Sequence, residues 1–509
     1  MKGQIIDAKN VQKDIEDSAD FVVVGTGAAG GPAAWVLTSM GYDVAIVEEG
    51  PYLKADDFKD DLISTFINIY RDAGSTSMMG KSMVAYIQGR MVGGSTPVNS
   101  AIVWRTPEEI VDKWQNEYGL GEVVNEKSLD WAFNKIEKDL NIHPIEDEIL
   151  GENNRLFGEA CNKMGYASRI IRRNAKGCYG SNRCMQGCPF AAKQSTDVTY
   201  IPWSVEKGAR LYTNCKVTKI TNNNKRADGI IGQFNLIYEK GFKKKKLTLK
   251  AKKGVVLAAS VAGSAPLIMK SRLKGDSKAI GKYFMGHPGS AVVGEFDKNI
   301  DMAYGPAQGY ESWHFRKSNG FKMETMGLVI ELLSARVPGF GPQFIKRIEN
   351  YNNFAVWDSY VRADTYGTVK STPFGTVINY SLQANDIKKM IFALKTMSEM
   401  MFAVGAKTVY PGIFGFPEEI YSPDDLKKFD DIPPDPKLFT LVSTHMFGGA
   451  RMGLDPKTSG VNTDFQVHGV PGLYVVDASV LPSNLGANPQ HTVMGMAVIG
   501  AERIGENSK

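Results

Sequence analysis

The stretch Phe21 to Gly50, FVVVGTGAAGGPAAWVLTSMGYDVAIVEEG, constrains this chain more than any other. Phe21 to Val24 reads as a short buried strand, and Gly25-Thr-Gly27-Ala28-Ala-Gly30 follows it at once. A helical pattern through Ala34, Leu37 and Thr38 comes next, and Val44 to Val47 reads as a second strand ending in Glu48. This is a whole βαβ unit with glycines where a dinucleotide fold needs them. Gly25 permits the tight turn, Gly27 lets the backbone approach a pyrophosphate, and Gly30 lets the helix pack on the strand. The pyrophosphate would sit on unpaired N–H groups at the helix start, where the dipole favours an anion. Glu48 lies 23 residues after Gly25 and can accept hydrogen bonds from ribose hydroxyls. An acid there repels a 2′-phosphate, which argues against NADP.

At 509 residues the chain is too long for one ordinary domain and suits two intertwined ones. Hydrophobic residues at 43% and charged residues at 23% exclude disorder, collagen and coiled coil as the main architecture. The most apolar stretch, Gly254 to Met269, is too short to span a bilayer, so no transmembrane segment is expected. The N-terminal MKGQIIDAKN has no apolar core and no twin arginine. A cytoplasmic location is expected, or a periplasmic or membrane-associated one where a partner subunit carries the chain. The net charge of +5 is local in origin: eight lysines lie between Lys240 and Lys253 with no acid among them. That run reads as a solvated hairpin tip or as a docking patch for an acidic partner. It lacks interleaved aromatic residues, so no nucleic-acid partner is expected.

A second glycine-rich loop, Gly89-Arg90-Met-Val-Gly93-Gly94-Ser95-Thr-Pro-Val-Asn99, is followed by Arg105. Farther on come CKVTKI around Val217, GVVLAASVAGSAP from Gly254 to Pro266, and His287-Pro288. The C-terminal part carries HMFGGARMGLDP from His445, then GVPGLYVVDAS, then NPQHT from Asn488. In this order the motifs resemble the glucose–methanol–choline (GMC) oxidoreductase family. The resemblance implies an α/β fold with a discontinuous Rossmann-like FAD-binding domain and an antiparallel-sheet-plus-helices substrate domain, in the PHBH-like arrangement. It places the FAD domain in residues 18–109, 199–290 and 438–509, a helical segment with a cysteine loop in 110–198, and the substrate domain in 291–437. Within the last, strands Gly367 to Lys370 and Thr376 to Ser381 are expected to floor the pocket, and Asp386 to Val404 to form a long amphipathic helix.

FAD contacts are implied residue by residue. The first loop would supply Gly25, Gly27, Ala28, Gly30 and Glu48, and the second Arg90, Gly93, Gly94, Ser95 and Asn99. Val217 and Ala259 fall near the adenine, and Asp477 with Ala478 near the ribityl chain. Pro489, Gln490 and His491 open a helix aimed at the isoalloxazine ring, whose dipole would stabilise the negative charge of reduced flavin. Some members attach FAD through a histidine in the second loop. Residues 89–105 contain none, so non-covalent FAD is expected.

Alcohol oxidation needs a base for the hydroxyl proton as hydride leaves the carbon for the flavin, and imidazole suits that task. His445 and Asn488 are the catalytic pair the resemblance implies, with Asn488 orienting the substrate oxygen. His491 is expected to be structural, with a second-base role as its alternative. His287 and His468 also read as structural.

Five cysteines are too few and too odd in number for a disulfide scaffold. Cys161 and Cys215 read as small buried hydrophobes. Cys178, Cys184 and Cys188 have the spacing C-x5-C-x3-C-P, which suits convergence on an iron–sulfur centre. This spacing resembles the catalytic subunits of bacterial FAD-dependent glucose dehydrogenases and implies a [3Fe–4S] cluster. Long-chain alcohol oxidases have a cysteine-rich loop here too, followed by residues similar to Lys193 through Thr199. Metal-free cysteines and zinc stay open as alternatives.

With a cluster, the expected enzyme is an FAD-dependent dehydrogenase that oxidises a small-molecule alcohol or sugar to a carbonyl. Its implied partners are a cytochrome or other electron-acceptor subunit and a small accessory subunit. The alternatives are an oxygen-using long-chain or sterol-type alcohol oxidase without a cluster, and a lyase that keeps FAD as scaffold. Met323, Met326, Phe354, Trp357, Tyr360, Met397, Met400 and Met401 read chiefly as core. Where any line the pocket, they favour an apolar alcohol over a sugar.

Overall fold

The computed structural model describes residues 3–236, 239, 241–273 and 275–509. Among these residues two large sheets carry the molecule, one eight-stranded and one nine-stranded. The first has the order Gln4–Asp7, Arg210–Thr213, Val44–Val47, Ile15–Val24, Lys245–Leu257, Arg226–Phe234 and Cys215–Asn223, with Leu473–Val475 also pairing to Lys245–Leu257. Its centre is parallel: Phe21 lies opposite Val44, Gly254 opposite Phe21, and Val255 opposite Leu473. The apolar runs FVVV, VAIV and GVVL are buried because helices cover both faces of a parallel sheet. Gly30–Ser39 and Gln490–Glu506 pack together, and Tyr42 donates its hydroxyl to the Gly505 carbonyl at 2.6 Å. The sheet takes in Gln4–Asp7, ahead of the expected start at residue 18.

The strands of the parallel core end side by side at Gly25, Glu48, Ala258 and Val476. In an open α/β sheet such carboxyl ends form the ligand crevice. Two of these ends turn sharply through residues in the left-handed region. Gly25 has φ of +102° and Ser260 has φ of +70°.

The second sheet runs Thr76–Met78, Val84–Tyr86, Leu441–Val442, Gly289–Glu295, Phe354–Val361, Phe321–Thr325, Tyr310–Ser312 and Ser168–Ile170, with Thr408–Tyr410 also on Gly289–Glu295. Helix Ala384–Ala403 covers its centre, and Met390, Met397, Met400 and Met401 are buried there with Trp357 and Met323. The expected helix from Asp386 is thus present. Thr368–Thr372 and Gly375–Asn379 form a two-stranded hairpin of their own, outside the large sheet, and Gly367, Thr368, Asn379, Tyr380 and Ser381 line a cavity. Only Val369 and Ile378 of this pair are buried, and Phe374 at its tip is fully exposed, so the hairpin lacks an apolar face wide enough to join the sheet. The sheet that meets His445 and Asn488, the floor sheet, runs through Gly289–Glu295, Phe321–Thr325 and Phe354–Val361, every residue of which is buried.

The lysine run enters the antiparallel pair Arg226–Phe234 and Lys245–Leu257. Lys240 lies outside the described residues. No described helix is long and apolar enough to cross a membrane.

Candidate active site

The crevice begins with two glycine loops pressed together. A Cβ on Gly30 would stand 1.9 Å from the Gly25 carbonyl oxygen, and one on Gly94 would stand 2.9 Å from the Gly27 Cα. At Gly27 itself the nearest atoms to a Cβ are 3.7 Å away, so its outer side is open. Thr26 joins the loops: its hydroxyl donates to Glu48 Oε2 at 2.6 Å and accepts from the Gly93 N–H at 2.9 Å. Glu48 also accepts from the Thr26 N–H at 3.2 Å and the Gly50 N–H at 2.9 Å. Burial still raises its carboxyl above the usual range, against those bonds. Ser95 accepts from the Gly89 N–H at 3.0 Å. Arg90 is buried alongside.

Two helices open toward this region without side-chain caps, at Gly30 and at Gln490. The uncapped N–H groups, the open side of Gly27 and the buried acid at Glu48 together fit a bound dinucleotide. Val217 sits on Cys215–Asn223 beside a break in strand register, and Ala259 follows Lys245–Leu257, where its N–H bonds Ser264 Oγ at 3.2 Å. Asp477 is buried, and its carboxylate accepts from Ser264 Oγ at 2.5 Å and from the Ser479 N–H at 2.9 Å, capping the turn that starts at Ala478.

The helix expected from Pro489 begins at Gln490, with Pro489 preceding its first turn. Gln490 receives a hydrogen bond from Asn99 Nδ2 and donates to Asn174 at 3.1 Å. His491 is fully buried and stacks on Phe133 at 4.6 Å, with Nε2 3.3 Å from Glu137. It therefore faces Glu126–Asp139. His468 is tied to Ser459 and the Gly453 carbonyl.

His445 faces His287 across a 3.0 Å Nδ1–Nδ1 contact, and Tyr360 closes against both rings at centroid distances of 5.2 and 5.4 Å. Burial and then the Lys322 charge hold the His445 imidazole down, to about 3. Burial likewise lowers His287, with His445 and Lys322 adding to the effect. Both rings are thus neutral at ordinary pH.

Asn488 is buried, and its Oδ1 accepts from Lys322 Nζ at 2.6 Å. Lys322 also meets Glu311 Oε2 at 2.5 Å and Glu324 Oε1. The structure thus gathers His445 and Asn488 around one buried lysine. Lys322, Glu311, Glu324 and Asp358 were not singled out from sequence. The alternation KMET in Phe321–Thr325 held a signal, because a lysine and a glutamate on one face of a buried strand demand partners.

Cys178, Cys184 and Cys188 line one cavity with Arg173 and Lys193. Arg173 directs one guanidinium nitrogen to Cys184 Sγ at 3.0 Å and another to Cys178 Sγ at 3.8 Å, while its Nε donates to the Ser100 carbonyl at 2.9 Å. Burial pushes the Cys184 thiol up, but Arg173 and Lys193 more than offset it, leaving it below the usual thiol range. Lys193 is buried and donates to the carbonyls of Pro97, Asn99 and Cys184 at 2.8, 2.5 and 2.8 Å. Two buried cations therefore join the second glycine loop to the cysteine loop. Among the described residues no three His, Cys, Asp or Glu side chains converge on a single ion. The three cysteines share this cavity with the two cations.

Comparison with known proteins agrees with this architecture. Residues 66–289 and 358–497 match the N-terminal and C-terminal models of GMC oxidoreductases. An uncharacterized GMC-type oxidoreductase of Mycobacterium tuberculosis is 30% identical over 488 residues, covering 95% of this chain and 75% of that protein. A long-chain-alcohol oxidase of Arabidopsis thaliana is 26% identical over 526 residues, covering 96% of this chain and 67% of the other. The crystal structure of pyridoxine 4-oxidase from Mesorbium loti superposes with a TM-score of 0.71 at 14% identity, over 95% of this chain and 98% of that one. These matches make the chain a member of the GMC oxidoreductase family, an FAD-dependent oxidoreductase acting on CH–OH groups.

Proposed function

We propose that the protein is a dehydrogenase for an apolar alcohol, with His445 as base, Asn488 as the group that orients the substrate oxygen, and the three-cysteine cavity as the electron exit. The observation that carries the base assignment is the His445–His287 contact. Two neutral rings facing through Nδ1 share one proton there. In the tautomer in which His287 Nδ1 accepts from His445 Nδ1–H, His287 Nε2 has no hydrogen-bond partner among the described residues. The lone pair of His445 Nε2 is then free to take the alcohol proton, and its low proton affinity keeps it free through the neutral range.

Bound FAD supplies the two-electron acceptor for the hydrogen that leaves the alcohol carbon. The glycine loops, Glu48 and the helix at Gln490 would hold it. Asn488 donates an amide N–H to the substrate oxygen and fixes the C–H bond in line. The buried rings of Tyr360 and His287 keep bulk water from the base.

Cys178, Cys184 and Cys188 would hold a [3Fe–4S] cluster, which carries electrons one at a time to an acceptor such as a cytochrome. The positive charges of Arg173 and Lys193 would offset its negative charge. The apolar substrate class is supported by similarity to a long-chain-alcohol oxidase and by the apolar residues of the floor sheet. That same similarity favours a second reading, an oxygen-using oxidase without a cluster. Iron analysis and anaerobic spectroscopy of the purified holoprotein separate the two. Iron with an EPR signal, and slow flavin reoxidation in air, support the dehydrogenase. Absence of iron with stoichiometric peroxide selects the oxidase.

A further inference from the structure

Lys322 lies in the middle of the floor sheet, opposite Tyr360, and is almost wholly buried. An ammonium has three N–H donors and no acceptor. Here the three donors meet three oxygens, those of Glu311, Glu324 and Asn488. None is left for a substrate. Glu311 is held besides by Arg169 at 2.7 Å and by the Trp104 indole N–H at 2.6 Å, and Glu324 by Gln308 at 2.7 Å. Well-packed apolar residues commonly replace buried ion pairs without loss of stability, so stability alone does not account for this one. What the pair touches is Asn488.

The Asn488 amide meets the lysine through its carbonyl and hydrogen-bonds Glu324 as well. Cation and carboxylate thus meet the two ends of one amide. Flipping it would set an N–H against the ammonium and a carbonyl against the carboxylate. The ion pair therefore specifies the amide's orientation at both ends and leaves one N–H unused.

We propose that Lys322 is a positioning residue for this site: with Glu324 it locks the Asn488 amide in one orientation, presenting an N–H to the substrate oxygen, and it sets a fixed positive charge beside His445. This rests on the assignment of His445 and Asn488 above. The groups facing His445 are His287, Lys322 and Tyr360, with Asp358 and Glu324 behind Tyr360 and Arg362 acting on His287. Glu311 and Glu324 both pair with the lysine, and after burial Lys322 is the group that lowers His445.

The test uses holoprotein and anaerobic stopped-flow flavin bleaching with micellar 1-dodecanol and a panel of other alcohols, across the acid and neutral range. Lys322→Met should keep its yellow flavin, reduce about 100-fold more slowly as the amide loses its orientation, and show an acid limb moved to higher pH. Lys322→Arg should restore the position of the acid limb. If the single variant does not fold, Lys322→Met/Glu324→Gln, which leaves no unpaired charge, should show the same slow rate and shifted limb. Wild-type rate and acid limb in the Met variants overturn the proposal. So does a slower rate with an unmoved limb and no rescue by arginine, because a merely structural lysine would give that result. If flavin-loaded wild-type protein is bleached by no alcohol, the functional reading itself fails and takes this inference with it.

Discussion

Acid should weaken this protein through His445 and His287. Their rings touch through Nδ1 at 3.0 Å, so protonating both would place two cations in contact. His445 is held at about 3, by burial first and Lys322 second, whereas an unfolded histidine titrates near 6.5. The folded value lies below the unfolded one. The contribution to stability is therefore complete above pH 6.5 and is lost as pH falls toward 3. For one such ring the linkage comes to about 2 kcal/mol between pH 7 and pH 5. The variant His445→Asn keeps a polar group of similar reach but has no proton to gain. Its urea midpoint should fall less than that of the wild type between those two pH values, by a margin equivalent to about 2 kcal/mol. Catalysis gives the matching signal. The acid limb of flavin reduction in the wild type should lie well below the ordinary histidine range. Equal pH sensitivity of the two midpoints, or a wild-type limb at the ordinary histidine value, refutes the reasoning.

Other outcomes follow from the same geometry. His445→Ala should retain FAD yet lose roughly 10²- to 10⁴-fold in flavin reduction, read by stopped flow. Cys184→Ser should lose iron while the flavin stays bound, read by metal analysis and EPR; unchanged iron content refutes the cluster. Gly30→Ala puts a methyl group 1.9 Å from a backbone oxygen and should impair soluble expression, whereas Gly27→Ala has room to fold and should chiefly weaken FAD binding in a fluorescence titration. Lys193→Met leaves the carbonyls of Pro97, Asn99 and Cys184 without their shared donor and should raise the FAD dissociation constant.

Local rules made much of this molecule legible. The run FVVVGTGAAG has one physical use, a buried strand stopped by a tight glycine turn, and Ile15–Val24 with Gly30–Ser39 forms it. The helix from Asp386 was legible for the same reason, since its apolar spacing is set within a few turns. The two strands of the hairpin at Thr368–Asn379 were legible, but strand propensity does not reveal which sheet a strand joins; that depends on whether its buried face is broad enough. His445 and Asn488 were found through motifs, but their setting was not. Lys322 sits 166 residues from Asn488 and Glu311 lies on a different strand, so only the fold brings them together. The same holds for Arg173 and Lys193, whose ties to the second glycine loop no spacing predicts.

The most direct test of the account is anaerobic mixing of flavin-loaded wild type and His445→Ala with 1-dodecanol, followed by absorbance. The wild type should bleach to reduced flavin within the mixing experiment, and the variant should stay yellow on the same timescale. Bleaching at equal rates in both would show that the imidazole is not the base and would contradict the account.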